Sequence, residues 1–164
     1  FERVARALPL RPSVVEFVNR MRRAGFMVGV LSDSYFVAAE TVRRRIFADF
    51  ALAHTLQFDG DVCTGELRKN PAFLPLPGSD GPALSKGHVL RRFRADGAGL
   101  PIVECWAIGD HLNDLDLLRE ADTAFVIEPQ AVVLRTEPGF RLIDSCEELL
   151  PLVPGPLATA AKAA

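Results

Sequence analysis

The sequence predicts a doubly wound α/β fold built on a mostly parallel, Rossmann-like sheet. Short apolar segments alternate with segments of helical periodicity along the whole chain, and this alternation is typical of a parallel sheet covered by helices on both faces. One Asp59-Gly60 pair between alternating segments adds a β-hairpin. Polar residues directly follow two of the apolar segments, at the sheet edge where ligands bind in folds of this class.

The elements of the first half follow from apolar spacing and from residues that begin or end helices. Arg11-Pro12-Ser13 favours a helix start and Gly25 a helix end. The segment 26–31 is short and almost wholly apolar, as buried parallel strands are. In chain order, we expect the end of a helix at 1–8, helices at 14–24 and 35–47, strands at 26–31 and 50–54, and a hairpin at 55–67.

The second half begins with an irregular loop, because residues 69–82 contain four prolines and two glycines. Beyond it we expect helices at 85–95, 113–121, 130–136 and 146–150, and strands at 102–108, 123–127 and 140–143. Residues 1–150 then form one domain. The Pro- and Ala-rich tail at 151–164 is expected to fray.

The composition argues against several function classes. The 164 residues carry 19 basic and 21 acidic side chains, so no bulk field favours nucleic acid or an anionic membrane. We interpret the basic clusters at 20–23 and 43–45 as solvated helix faces. No apolar segment reaches the ~20 residues of a membrane span. Cys63, Cys105 and Cys146 are odd in number and lack zinc-site spacing, which indicates a reducing cytoplasm.

Two groups of polar residues carry candidate chemistry for binding an anion. Ser32-Asp33-Ser34 follows the strand predicted at 26–31, where a hydroxyl and the N–H groups of the next helix can bind phosphate. The same residues are also ordinary helix caps. Lys86 stands at a predicted helix start, where its charge opposes the helix dipole. A functional use would explain that placement, although most lysines are simply solvated.

The most specific group is GDHLND at 109–114, directly after a predicted strand. Its glycine permits a tight turn, Asp110 presents a carboxylate at the sheet edge, and Asn113 and Asp114 open the next helix. Several acids at one strand end suit a hard divalent cation, magnesium above all. Helix capping would explain only one of these acidic residues. We expect Asp116 to point away from this group as a surface charge.

In chain order, Ser32, Lys86 and the segment 109–114 resemble the second, third and fourth motifs of the haloacid dehalogenase-like phosphatases. Over about residues 8–149, the hairpin, SKGHVLRRF and AIGDHLNDLDLL resemble the phosphoserine phosphatases in particular. LSDSYF departs from the Ser-Gly-Gly of that branch and is closer to a variant that also transfers phosphate to homoserine. The resemblance implies Mg²⁺-dependent hydrolysis of a small phosphorylated metabolite such as phosphoserine, within serine biosynthesis. It leaves the oligomeric state open.

The resemblance also implies roles for the site residues. These are phosphate binding by Ser32, Asp33, Ser34, Lys86 and Asn113, catalysis by Ser32, Lys86 and Asp114, and Mg²⁺ binding by Asp110. Lys86 would in addition steady the nucleophile, while Asn113 and Asp114 would support the metal, the phosphate or Lys86.

The family's nucleophile is an aspartate of a D-x-D-x-T/S motif at the end of the first strand, where it forms an aspartyl-phosphate. Here Asp59-Gly60-Asp61 has that spacing but belongs to the hairpin turn. The family's first strand lies between those predicted at 26–31 and 102–108, so we expect unpaired edges there. The resemblance therefore predicts a fragment that folds poorly and is inactive alone. The nucleophile, the central strand and most of the helical cap would precede it, with 1–10 as the remainder of the cap.

Three alternatives stay open. A non-catalytic remnant would keep the phosphate cradle as a binding module, or phosphate would pass to homoserine instead of water. A receiver-like domain also uses clustered aspartates with a Thr or Ser and a Lys, but it needs an early pair of acids that the sequence lacks. His54, His88 and His111 have no metal-type spacing. We expect His88 on the surface of its helix and assign His111 no role.

Overall fold

The computed structural model describes residues 2–78, 81–96 and 102–155. Its helices and strands are α1 (Glu2–Ala7), α2 (Val14–Arg23), β1 (Gly29–Tyr35), α3 (Phe36–Ile46), β2 (Phe50–Asp59), β3 (Val62–Arg68), α4 (Lys86–Asp96), β4 (Trp106–Gly109), α5 (Leu115–Glu120), β5 (Thr123–Ile127), α6 (Val132–Thr136) and β6 (Phe140–Ile143). Short 3-10 helices lie at Pro71–Phe73, Leu112–Asp114 and Cys146–Leu152. The predicted fraying from residue 156 onward lies outside the described residues.

The strands form two three-stranded sheets, ordered β1-β2-β3 and β4-β5-β6. β1 pairs in parallel with β2, and β5 pairs in parallel with both β4 and β6. Among the described strands only the hairpin pair, β2 and β3, is antiparallel, so the predicted α/β fold with a mostly parallel sheet is confirmed. Within the described residues, β1 and β4 each pair with a strand on one side alone. Their other edges are the unpaired edges that the sequence predicts.

Side-chain packing joins the two sheets where backbone pairing does not. The apolar face of α2, with Phe17, Val18 and Met21 buried, packs in one cluster with Phe125 of β5 and Ile46 of α3. The helical spacing read from the sequence therefore marks the face that covers both sheets. No helix in the described ranges is long and apolar enough to cross a membrane.

Two strands begin later than the sequence predicts. β1 starts at Gly29 and continues to Tyr35, because β2 runs beside it from Phe50. β4 contains only four residues, and Val103 in the predicted strand is 90% exposed. Pairing sets this limit, since β4 finds its partner only from the first residue of β5 onward. Apolar composition alone does not make a strand.

A close contact at Gly29 positions α4 on the first sheet. A Cβ at Gly29 would lie 2.1 Å from Cζ of Phe50, so the Phe50 ring fills the space that a side chain would take. The same ring meets Phe93 of α4 edge-on, with centroids 5.7 Å apart. The absence of a side chain at one strand residue thus helps to place the helix that begins at Lys86.

The basic cluster at 43–45 is not simply a solvated helix face, contrary to the sequence prediction. Arg45 donates to the carbonyls of Ala5 and Leu8, at 3.0 and 2.7 Å, and so holds the end of α1 against α3. Arg43 and Arg44 bond to Glu40, and mainly the Arg43 hydrogen bond lowers the pKa of Glu40 to about 2. These arginines are committed to contacts within the domain.

Phe73 helps to anchor the loop that follows β3, which gives a stability prediction. Phe73 is fully buried and its ring packs edge-on against His54, with centroids 4.9 Å apart. Phe73→Ala should lower the free energy of unfolding by about 3–5 kcal/mol, because it leaves a cavity under the loop. Urea denaturation measures this, with the more exposed Leu74→Ala as the control. Equal, small losses in the free energy of unfolding of both variants would contradict the anchoring role of Phe73.

Candidate active site

The tips of β1 and β4 meet the start of α4 around Lys86. Its Nζ lies 2.6 Å from Oδ1 of Asp114 and 3.5 Å from Oδ2 of Asp33. The side chains of Lys86 and Asp114 are each only 9% exposed, so their charges interact with little screening by water. Parallel strands place their carboxyl ends at one edge, and the structure brings together one residue from each of the three predicted groups.

Asp114 organises the turn that follows β4. Its Oδ2 accepts hydrogen bonds from the N–H groups of Asp110 and His111, both at 3.1 Å. Because Oδ1 receives Lys86, both carboxylate oxygens are engaged. Gly109 makes this possible, since a Cβ there would lie 2.6 Å from Cβ of Asp114. Asp114 thus holds Lys86 and the turn in place.

Asn113 links the two strand tips directly, because its Nδ2 donates to Oδ2 of Asp33. Ser32 Oγ accepts from the N–H of Ser34 at 3.1 Å, which leaves the hydroxyl proton free to donate to another oxygen. Asp33 differs from the other predicted phosphate-binding residues. Its carboxylate beside Lys86 has the wrong sign for a phosphate dianion, so its side chain suits a donor group instead.

Asp110 is the predicted metal ligand, and it is half-buried after β4. Among the described ranges, no three His, Cys, Asp or Glu side chains are grouped to hold a metal ion. Mg²⁺ commonly binds through one or two carboxylates plus waters and substrate phosphate oxygens. Asp110, a single hard carboxylate at a strand tip, therefore fits Mg²⁺ as one ligand of the ion's coordination shell.

Two charged residues at this edge, Arg11 and Glu128, escape the sequence prediction. Arg11 donates from Nη1 to Oε2 of Glu128, and its Nη2 lies 3.5 Å from Oδ2 of Asp110. The bond to Glu128 raises the pKa of Arg11. Glu128 directly follows the buried strand β5, so the rule of reading residues after each strand would have found it.

The prediction that Asp116 is a surface charge is wrong. Asp116 accepts hydrogen bonds from Ser85 Oγ and, at 2.8 Å, from Nη2 of Arg91. Gly87 lies directly against it, since a Cβ there would be 2.4 Å from Oδ2 of Asp116. The carboxylate thus fastens the start of α4, and with it Lys86, to α5.

The prediction that His88 lies on the helix surface is also wrong. His88 is fully buried, with Nε2 2.9 Å from the carbonyl of Pro82 and Nδ1 3.0 Å from Nη1 of Arg91. The physical reason is that α4 packs closely along α5. The stripe of residues 85, 88 and 91 that looks polar in sequence therefore faces protein and not water.

Comparison with known proteins identifies the family. Residues 1–119 match the family model of haloacid dehalogenase-like hydrolases. The chain belongs to this family. It is 30% identical over 132 residues to a phosphoserine phosphatase of Streptomyces coelicolor, covering 80% of this chain and 30% of that protein. It is 31% identical over 118 residues to phosphoserine phosphatase SerB2 of Mycobacterium tuberculosis, covering 72% and 26%.

The fold has a close counterpart among solved structures of the same family. The crystal structure of an apo phosphoserine phosphatase aligns with a TM-score of 0.73, at 18% identity, covering 93% of this chain and 72% of that one. This likeness supports the family's fold. The chain spans less than a third of the length of the two curated relatives.

Asp116 gives a prediction with a defined pH dependence. Burial would raise the pKa of Asp116, but hydrogen bonds from Ser85 and Arg91 outweigh it and leave the pKa lowered. A depressed carboxyl pKa stabilises the fold above the unfolded-state pKa, and this contribution is lost as pH falls through the folded-state pKa. Asp116→Asn should cost about 1–2 kcal/mol at neutral pH, and the cost should shrink below about pH 4.

Chemical denaturation of both proteins between pH 7 and pH 3 measures this difference. Asp61→Asn, in the exposed hairpin turn, removes the same charge where no such bonds form and should change stability little. A cost at Asp116 that stays constant across the pH range would contradict the assigned ion pair.

Proposed function

We propose that the protein is a Mg²⁺-dependent phosphomonoesterase that forms an aspartyl-phosphate and acts on phosphoserine or a similar small phosphorylated metabolite. The observation that carries the proposal is the buried Lys86 ammonium, held 2.6 Å from Asp114 where the tips of β1 and β4 meet. A fixed cation at this edge is suited to neutralise phosphoryl oxygens. Relatives named as phosphoserine phosphatases support the substrate class.

Ser32 and Lys86 would act on the phosphoryl group. The Ser32 hydroxyl donates to a phosphoryl oxygen while Ser34 N–H keeps the hydroxyl in place. Lys86 has three donor protons, and Asp114 takes the closest contact. A remaining proton is available to a phosphoryl oxygen. Because these groups are held before substrate arrives, they need little rearrangement as charge develops in the transition state.

Asp110 would hold Mg²⁺, and Asn113 and Asp114 would support it. When bound, the ion neutralises phosphate charge so that an anionic nucleophile can approach. Asp114 fixes the backbone of Asp110 through the N–H bond at 3.1 Å. Asn113 keeps the β1 tip close through its bond to Asp33.

We further place the nucleophilic aspartate on a strand between β1 and β4, in a segment that precedes these residues in the protein. Among the described residues, β1 and β4 each have one unpaired edge, which supports this position. The alternative pair, Asp59 and Asp61, flanks the turn at Gly60 beside β3, whose residues are all exposed. A nucleophile there would lack the water-excluded surroundings that the chemistry favours.

Phosphate transfer to homoserine is the second candidate, and Asp33 favours it. Its carboxylate lies at the site, 3.5 Å from Lys86. A carboxylate there can accept hydrogen bonds from the amino or hydroxyl group of a second substrate. Adding homoserine to the assay and measuring phosphohomoserine separates transfer from hydrolysis.

The metal role of Asp110 gives the direct test. The protein should release phosphate from O-phosphoserine when Mg²⁺ is present, and Asp110→Asn should lower kcat about 100-fold or more. The matched control is Asp144→Asn, because Asp144 follows β6 at the same sheet edge but two strands away. It should retain activity. Unchanged turnover of Asp110→Asn would contradict the metal assignment, and binding without turnover in the wild type would favour the non-catalytic module.

The role of Lys86 requires a paired variant. Lys86→Met alone would leave Asp114 buried without its counter-ion, at a cost of about 3–5 kcal/mol. Combining Lys86→Met with Asp114→Asn removes both charges and should restore much of the stability. We expect the folded double variant to lose about 100- to 1,000-fold in kcat. A folded double variant with a near-normal rate would contradict the assignment of Lys86.

A further inference from the structure

Three charged side chains from separate parts of the fold meet beside the proposed metal ligand. Arg11 precedes α2, Asp110 follows β4 and Glu128 follows β5. The guanidinium lies between the two carboxylates, with Nη1 on Glu128 and Nη2 3.5 Å from Oδ2 of Asp110. Nothing in the proposed chemistry uses Arg11 or Glu128.

The two carboxylates share the guanidinium unequally. Nη1 makes a direct hydrogen bond to Glu128, whereas the Nη2–Asp110 separation of 3.5 Å is at the limit for one. Arg11 is therefore held mainly by Glu128, and Asp110 keeps most of its capacity to accept other partners.

The backbone at Glu128 is held in place for this contact. Its φ of 44° is left-handed, a conformation that is strained for a residue with a Cβ. The next turn is fixed to the site, because the N–H of Gln130 donates to the carbonyl of Asp110 at 3.0 Å. The Gln130 side chain also donates to the Glu128 carbonyl at 3.2 Å. The loop after β5 thus keeps the Glu128 carboxylate beside Arg11.

We propose that Arg11 and Glu128 set the affinity of Asp110 for a divalent cation. Arg11 competes with the cation for the Asp110 carboxylate, and Glu128 is a positioning residue that holds Arg11 back. This inference rests on the proposed function, because it takes Asp110 to be a metal ligand. It would let the chain adjust how readily the ion enters and leaves without changing the ligand itself.

The expected size of the effect follows from charge and exposure. A guanidinium near Asp110 repels a divalent cation twice as strongly as a monovalent one. The side chains of Arg11, Asp110 and Glu128 are 39%, 45% and 58% exposed, so water and salt screen the repulsion to that of a surface ion pair. We therefore expect changes in dissociation constant of about three- to tenfold, smaller at high salt.

Direct binding of Mn²⁺, followed by the electron paramagnetic resonance of the free ion, measures this without turnover. Arg11→Gln should tighten Mn²⁺ binding, because the competing charge is gone. Glu128→Gln should weaken it, because Arg11 then turns fully to Asp110. The matched control is Arg20→Gln, whose side chain pairs with Glu16 on α2 at 2.6 Å and should leave the dissociation constant unchanged.

The double variant Arg11→Gln with Glu128→Gln decides how Glu128 acts. If Glu128 works only through Arg11, the double variant should bind Mn²⁺ as tightly as Arg11→Gln. An intermediate affinity would show that Glu128 acts as an independent charge and would overturn its positioning role. Weaker binding in both single variants would overturn the competition. A wild-type protein that binds no Mn²⁺ would overturn the metal role of Asp110 itself, before any variant is compared.

Discussion

The buried ion pair between Lys86 and Asp114 is the interaction on which the rest of the site depends. Burying two charges is costly unless each is fully satisfied, and here Asp114 uses both oxygens, one for Lys86 and the other for two backbone N–H groups. That arrangement requires the close approach at Gly109. The pair also ties α4 to the turn after β4, and so links two sheets that share no backbone pairing among the described residues.

Contacts made by the surrounding residues hold the helix that carries Lys86 in place. Asp116 fixes the start of α4 through Ser85 and Arg91, so the backbone that carries Lys86 cannot rotate away from Asp114. Phe50, seated over Gly29, meets Phe93 and holds the same helix on the first sheet. Polar contacts with α5 and apolar contacts with the first sheet thus both hold α4, the helix that carries Lys86.

The sequence predicted the order and type of most elements, because apolar periodicity and turn residues are local signals. It also grouped Lys86 with Asp114, through the family resemblance and because Asp114 lies just after a predicted strand, where sites form in folds of this class. The sequence prediction failed for residues whose structure depends on packing against another element. Val103 belongs to an apolar segment but has no strand beside it in the described part of the chain. His88 and Asp116 look exposed in the sequence until α4 is packed on α5. The Arg11–Glu128 contact joins residues 117 positions apart, beyond any local pattern.

We propose that these residues form the phosphate cradle for an aspartate on a strand between β1 and β4. Trapping the phosphorylated protein after brief incubation with O-phosphoserine and Mg²⁺, reducing the acyl phosphate with borohydride and mapping the modified peptide by mass spectrometry tests it directly. We expect one modified aspartate, in a D-x-D peptide that precedes Phe1. A modified Asp33, Asp61 or Asp110 would contradict it, because the nucleophile would then lie within this chain.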